Sequence, residues 1–208
     1  MTRAIILIVL FAALTVAAPA RATIEFGFSG QSTWSDNDYV GNPTGWGLFF
    51  SRSLSPRVSV RLAYNRYSND FHYIGNFLFG LVPPDADTSR EIIAADASTK
   101  YVEMILLHSL VDGSRMRLDI GGGLGLAYFD LHLTGQSTGT MSTTNEDGIT
   151  LTWMVETTVK HLIYSPLALK MGYQYHKSST MEGLITDAFV PFDEIAHSGV
   201  YAALVARW

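Results

Sequence analysis

Histidines are the side chains of this sequence best suited to chemistry near neutral pH, and two of them stand close to a serine. His176-Lys177-Ser178 places an imidazole two residues before a hydroxyl, and His197-Ser198 follows Glu194 closely. A serine, an imidazole and a carboxylate together could supply an activated nucleophile. The histidines do not stand at metal-ligand spacing, so the sequence predicts neither a metal site nor a cofactor (His72, His108, His132, His161, His176 and His197).

The elements that would position these residues are predicted to be β-strands, because apolar residues recur at every second position over much of the chain. Leu118, Ile120 and Leu124 alternate with Asp119 and glycines, so one face of that segment is apolar and the other is polar or small. Eight such segments are predicted, at 23–34, 44–54, 57–67, 98–111, 115–131, 149–162, 167–178 and 196–208.

Short and long connections between these segments alternate strictly. The short ones contain turn-forming residues, at Leu54-Ser55-Pro56, Asp112-Gly113-Ser114 and 163–166. The long connections are 35–43, 68–97, 132–148 and 179–195. This alternation is typical of barrels with short periplasmic turns and longer extracellular loops. The predicted fold class is therefore all-β, an eight-stranded antiparallel up-and-down transmembrane β-barrel.

The N-terminus is typical of a secretory signal peptide. Arg3 precedes an apolar stretch from Ala4 to Ala18, and Ala20-Arg21-Ala22 offers small residues at a cleavage site. We therefore expect residues 1–22 to be the signal peptide and residues 23–208 to be the barrel domain; the alternative is an uncleaved anchor. The net charge of −5 without a basic cluster argues against nucleic-acid binding. The absence of cysteine excludes disulfides.

The last predicted strand ends on an aromatic residue, Trp208, after apolar residues at alternate positions such as Leu204 and Ala206. This ending resembles the C-terminal signal of outer-membrane barrels, and with the strand layout the chain resembles the small OmpA/OmpX/OmpW-like barrel superfamily. The resemblance implies a Gram-negative outer-membrane location, with outer-membrane lipids and the barrel-assembly machinery as partners. We also expect a monomer.

The inward face is predicted to hold a compensated charge network, because an isolated buried charge is costly. Arg61, Asp119, Glu156 and Lys170 stand at similar distances from their short turns and are expected to share one layer. Glu103 and Arg117 are further members of this lumen charge network. The network either plugs the barrel or forms a salt-bridge gate in a narrow pore. Inward glycines (Gly121, Gly123 and Gly125) would leave space for such a pore.

The His176-Lys177-Ser178 segment is similar to the His-x-Ser motif of the lipid A deacylases, which are enzymes built on small outer-membrane barrels. That resemblance implies a lipid-facing site, whereas the alternation places His176 and Ser178 on the lumen face. Ser179 also stands where that family has asparagine, and the nearest acid, Glu182, lies in a predicted loop. The sequence therefore predicts a protein without catalytic residues, and a lipid A deacylase-like enzyme remains the alternative.

Two of the long connections are unusually apolar for extracellular loops. They either pack together as a cap or form an interaction surface for an extracellular ligand or protein, whereas 132–148 is expected to be a mobile loop. The leading hypothesis for function is a non-enzymatic barrel with a structural or surface-interaction role. The second hypothesis is a narrow, porin-like pore or conduit for small or hydrophobic compounds. The predicted loop surface comprises Phe77, Phe79, Leu81, Phe189 and Phe192.

Overall fold

The protein is a closed barrel of eight antiparallel strands, seen in a computed structural model that describes residues 23–35, 42–75, 90–137, 140–178 and 196–208. Each strand pairs with its neighbours in sequence, and β1 closes the barrel against β8. The predicted fold class is thereby confirmed. The strands are β1 (Ile24–Ser35), β2 (Thr44–Ser53), β3 (Val58–Gly75), β4 (Arg90–Asp112), β5 (Met116–Ser137), β6 (Thr140–Tyr164), β7 (Leu167–Ser178) and β8 (Ala196–Arg207). The described residues include no helix long and apolar enough to cross a membrane.

The central strands are longer than predicted. β3 and β4 take up much of the expected loop at 68–97, and the expected loop at 132–148 is almost entirely strand, with Leu133 paired to Thr144. The prediction of a mobile loop at 132–148 was therefore wrong. Threonine favours extended backbone, and a strand that is polar on both faces lacks the alternation by which strands are recognised. The polar composition of 132–148 is compatible with contact with water. It does not mark the place where the pairing of β5 with β6 ends.

The outward face of the barrel is apolar along its middle. Leu124 is 72% exposed and Leu151 is 66% exposed, and large apolar side chains are exposed on β1, β2 and β4 to β8. Aromatic rings contact one another on this face, with centroids 5.6 Å apart for Trp46 and Tyr64 and 5.5 Å apart for Trp153 and Tyr175. A continuous apolar surface of this kind calls for a non-aqueous environment or a partner.

Short turns join the strands at one end, which we call the turn end; the opposite end is the loop end. At the β4–β5 turn, the backbone N–H of Gly113 donates to the carbonyl of Met116 at 2.8 Å. The backbone N–H and C=O groups of Trp208 pair with those of Ile24, at 3.1 and 3.0 Å. The aromatic residue expected to be an assembly signal thus lies at the β1–β8 seam, and its side chain is exposed.

Candidate functional site in the barrel lumen

The lumen is lined by alternate residues of all eight strands, and ionisable side chains are buried along it. Glu103 is 1% exposed, Lys170 is 2% exposed, and Arg61 and Glu156 are each 3% exposed. Ionised groups buried to this degree are stable only with compensating partners. The contacts that these side chains make form three tiers between the turn end and the loop end.

An ion pair between opposite parts of the wall forms the middle tier. The Arg61 guanidinium on β3 donates to a Glu156 carboxylate oxygen on β6 at 2.6 Å. The Tyr201 hydroxyl lies 3.4 Å from both Arg61 and Glu156, so it closes a triangle with them. The ring of Phe49 lies beneath the guanidinium, 4.8 Å from its carbon to the ring centroid, and adds a cation–π contact.

Two separate ion pairs form the tier at the turn end. The Lys160 ammonium lies 2.5 Å from a carboxylate oxygen of Glu25, which joins β6 to β1 across the lumen. Arg117 donates to the Asp119 carboxylate at 2.7 Å, and Asp119 also accepts from the Ser109 hydroxyl at 2.6 Å. Each of these buried carboxylates is therefore matched by a cation on the lumen side.

The tier toward the loop end is a network of neutral hydrogen bonds centred on the amide of Gln31. Its nitrogen donates to Asn65 at 2.6 Å, and its oxygen accepts from the Gln174 amide at 2.6 Å and from the Tyr67 hydroxyl. Gln174 also donates to the Tyr67 hydroxyl at 2.5 Å. Tyr67 on β3 and Gln174 on β7 stand on opposite sides of the closed barrel.

Side-chain contacts between strands that are not neighbours decide whether the lumen is open. Arg61–Glu156 and Glu25–Lys160 each join strands three apart around the ring, and Tyr67–Gln174 joins strands four apart. Side chains on strands so far apart touch only by meeting across the lumen, and an eight-stranded barrel is just wide enough for its own side chains. The lumen is therefore crossed at three levels by hydrogen-bonded side chains.

Apolar side chains fill much of the remaining lumen, which the sequence reasoning missed. Phe49, Ile105, Leu107 and Met154 point inward and are at most 6% exposed. Ile105 and Leu107 stand at alternate positions from Glu103 on β4, and Met154 stands two residues from Glu156 on β6, so alternation places them inward. The prediction that large apolar side chains face lipid was wrong for these residues. The interior is thus a mixed polar and apolar core.

The inward glycines of β5 do not leave the space that was predicted for a pore. Leu107 and Ile105 on β4 stand directly opposite Gly121 and Gly123 and lean over them. A Cβ atom at Gly121 would lie 2.6 Å from a methyl carbon of Leu107, and one at Gly123 would lie 2.9 Å from a side-chain carbon of Ile105. The glycines therefore accommodate the large residues of the neighbouring strand.

The predicted layer of Arg61, Asp119, Glu156 and Lys170 is divided in the structure. Arg61 meets Glu156, whereas Asp119 pairs with Arg117. The Lys170 ammonium contacts the Phe49 ring at 5.5 Å, and no carboxylate of a described residue forms an ion pair with it. Strands of a barrel are tilted and staggered, so equal residue counts from the turns do not give equal heights.

Glu103 has a partner that the sequence reasoning did not identify. Its carboxylate lies 2.8 Å from Nδ1 of His176, whose ring is fully buried, and it also accepts from Asn65 at 3.3 Å. Ser178 is 1% exposed, as expected for a lumen position, and no hydrogen bond joins its hydroxyl to the His176 ring or to the Glu103 carboxylate. An acid, an imidazole and a hydroxyl thus lie in one region, but His176 and Ser178 face the lumen rather than lipid.

His197 lies next to this region, opposite His176 on the neighbouring strand. It is buried, its ring stacks on Tyr67 with centroids 6.3 Å apart, and neither ring nitrogen has a hydrogen-bond partner among the described residues. No three histidine, aspartate or glutamate side chains of the described ranges are arranged to hold a metal ion. Glu182, Glu194 and the predicted loop surface of Phe77, Phe79, Leu81, Phe189 and Phe192 lie outside the described residues.

Comparison with solved structures places this architecture among known proteins. A major outer membrane protein of Thermus thermophilus matches with a TM-score of 0.54 and 12% identity, over 89% of this chain and 99% of that one. The chain has the fold of the small outer-membrane β-barrels. Neisserial surface protein A matches with a TM-score of 0.51 and 13% identity, over 89% of this chain and 96% of its own. OprG of Pseudomonas aeruginosa matches with a TM-score of 0.51 and 13% identity, over 90% and 95%.

These small outer-membrane barrels share the fold at sequence identities too low to carry a specific activity from one to another. No protein-family model matches the sequence, and no curated protein sequence matches it.

Proposed function

We propose that the protein is an integral outer-membrane barrel of a Gram-negative bacterium with a closed, non-conducting lumen and a structural or surface-interaction role. Residues 1–22 direct export and are removed, and the barrel-assembly machinery recognises the strand that ends at Trp208. The barrel works as a monomer among outer-membrane lipids. Its function does not involve catalysis, and any extracellular ligand or protein binds at the loop end.

The observation that carries the proposal is the set of side-chain contacts that cross the lumen. The Arg61–Glu156 ion pair and the Tyr67–Gln174 hydrogen bond connect distant strands at different heights. Opening a path past them would require breaking a buried ion pair and several hydrogen bonds together, and each lost partner leaves a buried polar group unsatisfied. Because the interior is closed in this proposal, ligands and partners contact the molecule only at its outer wall and at its two ends.

The outer wall supports the membrane location. Large apolar side chains such as Phe28, Leu124 and Leu151 are more than half exposed on it, and aromatic pairs lie among them. A barrel satisfies every backbone hydrogen bond between its strands, which makes it one of the two structures that can span a lipid bilayer. The similarity of fold to outer-membrane proteins agrees with this placement.

Planar-bilayer recording tests the closed lumen. The refolded chain is expected to insert without steady single-channel current, because its lumen is crossed at three levels. The paired variant Tyr67→Ala with Gln174→Ala removes only the tier nearest the loop end, so it is expected to remain silent as well. A gel shift on heating establishes that each sample contains folded barrel.

The narrow-pore alternative makes the opposite prediction for the same recordings. A steady current through the wild-type barrel that changes with Glu156→Gln, but not with the outward control Leu124→Ala, would replace the structural role with conduction past the middle tier. Leu124 is a suitable control because it is the most exposed of the large apolar side chains in the described ranges and does not reach the lumen.

A further inference from the structure

The turn end of the barrel contains a small cavity of about 30 Å³ that is rich in cationic side chains. Arg115, Arg117, Lys160 and Arg207 line it, and Asp112 is its only acidic lining residue among the described ranges. The cavity lies below the middle tier of the lumen and opens at the short turns. Its composition is unlike that of the middle tier above it, where one guanidinium meets one carboxylate.

Strand register explains why positive charge accumulates there. Arg117 on β5 stands directly opposite Lys160 on β6, and Lys160 stands directly opposite Lys170 on β7. Three cations therefore follow one another across neighbouring strands on the lumen side of the wall. Like charges in directly opposed positions destabilise a sheet, so this row requires negative charge from elsewhere.

The described residues supply only part of that charge. Asp119 pairs with Arg117, and Glu25 pairs with Lys160. Lys170 lies two residues deeper than Ala168, which lines the cavity, and has no ion pair among the described residues. The side chains of Arg115 and Arg207 are exposed at the rim and form no ion pair with a described residue. Around the cavity, five cationic side chains thus accompany three carboxylates (Arg115, Arg117, Lys160, Lys170 and Arg207 with Asp112, Asp119 and Glu25).

We propose that this mouth binds an oxyanion, a carboxylate or phosphate group, held chiefly by the guanidinium groups of Arg115 and Arg207. Guanidinium groups present paired N–H donors that match the oxygens of such groups. The cavity has room for only about two water molecules, so the anionic group binds at its rim and the remainder of the ligand stays outside. The site does not depend on whether the lumen above conducts.

Titration calorimetry with inorganic phosphate, at constant ionic strength set by chloride, tests the site in the refolded full chain. Arg115→Gln and Arg207→Gln are each expected to weaken phosphate binding by about tenfold, because each removes a charge-assisted contact. The double variant is expected to weaken it by about a hundredfold. Both side chains are exposed and form no ion pair with a described residue, so a heat-modifiable band should show that these variants fold.

Arg57→Gln is the matched control. Arg57 is also an exposed arginine at the turn end, in the β2–β3 connection, but it does not line the cavity. Phosphate affinity should be unchanged in this variant. Equal affinity in the wild type and the Arg115/Arg207 double variant, or no binding by the wild type at millimolar phosphate, would overturn the proposal.

A second arm, which rests on the proposed outer-membrane placement with the turn end in the periplasm, identifies the source of the anion as either free phosphate or the peptide carboxylates of the cell wall. Co-sedimentation of the barrel with purified cell-wall sacculi that is lost in the double variant, but kept in Arg57→Gln, would assign the site to cell-wall carboxylates. Arginine-dependent phosphate binding without sedimentation would assign it to free phosphate. Both results support the oxyanion site.

Discussion

Glu156→Ala is expected to lower the free energy of unfolding by about 3–5 kcal/mol, the usual cost of breaking a buried ion pair from one side. The substitution leaves the Arg61 guanidinium almost fully buried without its carboxylate partner. Two of its nitrogens, Nε and Nη2, already lack a hydrogen-bond partner among the described residues, so no neighbouring group there replaces the lost carboxylate. Urea unfolding in lipid vesicles, followed by tryptophan fluorescence, measures the change.

The control for this prediction removes both charges. Arg61→Met combined with Glu156→Leu replaces the pair with apolar side chains of similar length, and such replacements are often neutral or stabilising. The double variant should therefore be at least as stable as the wild type. A single Glu156→Ala variant as stable as the wild type would mean that Arg61 and Glu156 do not meet across the lumen.

Gly123→Val is expected to prevent formation of the folded barrel. A Cβ atom at this inward position would lie 2.5 Å from the backbone carbonyl oxygen of Met104 and 2.9 Å from the side chain of Ile105. The carbonyl belongs to a paired strand and cannot move away without breaking the β4–β5 ladder, so overpacking here costs several kcal/mol. The heat-modifiable band of the refolded chain should disappear.

The adjacent residue, Gly122, provides a matched control. It points outward, and the nearest atom to a Cβ atom there would be the carbonyl oxygen of Met154 at 3.5 Å, an ordinary van der Waals distance. Gly122→Val should therefore fold with a stability close to that of the wild type. If both valine variants fold equally well, the β4 side chains do not occupy the space in front of the β5 glycines.

The fold could be predicted from sequence because its determinants are local. Alternation in segments such as 117–128 and 167–176 defines two faces, and turn residues such as Asp112-Gly113 mark where pairing reverses. Because short and long connections alternate along the chain, each strand is expected to lie antiparallel beside the next one, which gives an up-and-down order of strands. Strand length was underestimated where strands become polar on both faces, as at 132–148, because no alternation marks a strand that leaves the apolar zone.

The contacts of the lumen could be predicted only in part. The alternation of side chains along each strand is a local property of the sequence, and it identified Arg61, Glu103 and Glu156 as inward residues. Which of them meet depends on the stagger between strands, and a difference of two residues exchanges one partner for another. The pairing of Glu103 with His176 and the filling of the β5 glycines by Ile105 and Leu107 both depend on register, which no single segment encodes.

Site-directed spin labelling in lipid vesicles tests the central claim, that the chain is a membrane barrel with a filled lumen. The chain contains no cysteine, so single cysteines can be introduced without background. Labels at the outward positions Gly30, Leu124 and Val155 should contact oxygen dissolved in lipid and not a water-soluble nickel complex. Ser29→Cys, at a lumen position that is 2% exposed, should resist a water-soluble thiol reagent. Nickel contact at the outward positions would contradict the membrane placement, and ready labelling of Ser29→Cys in the folded barrel would contradict the closed lumen.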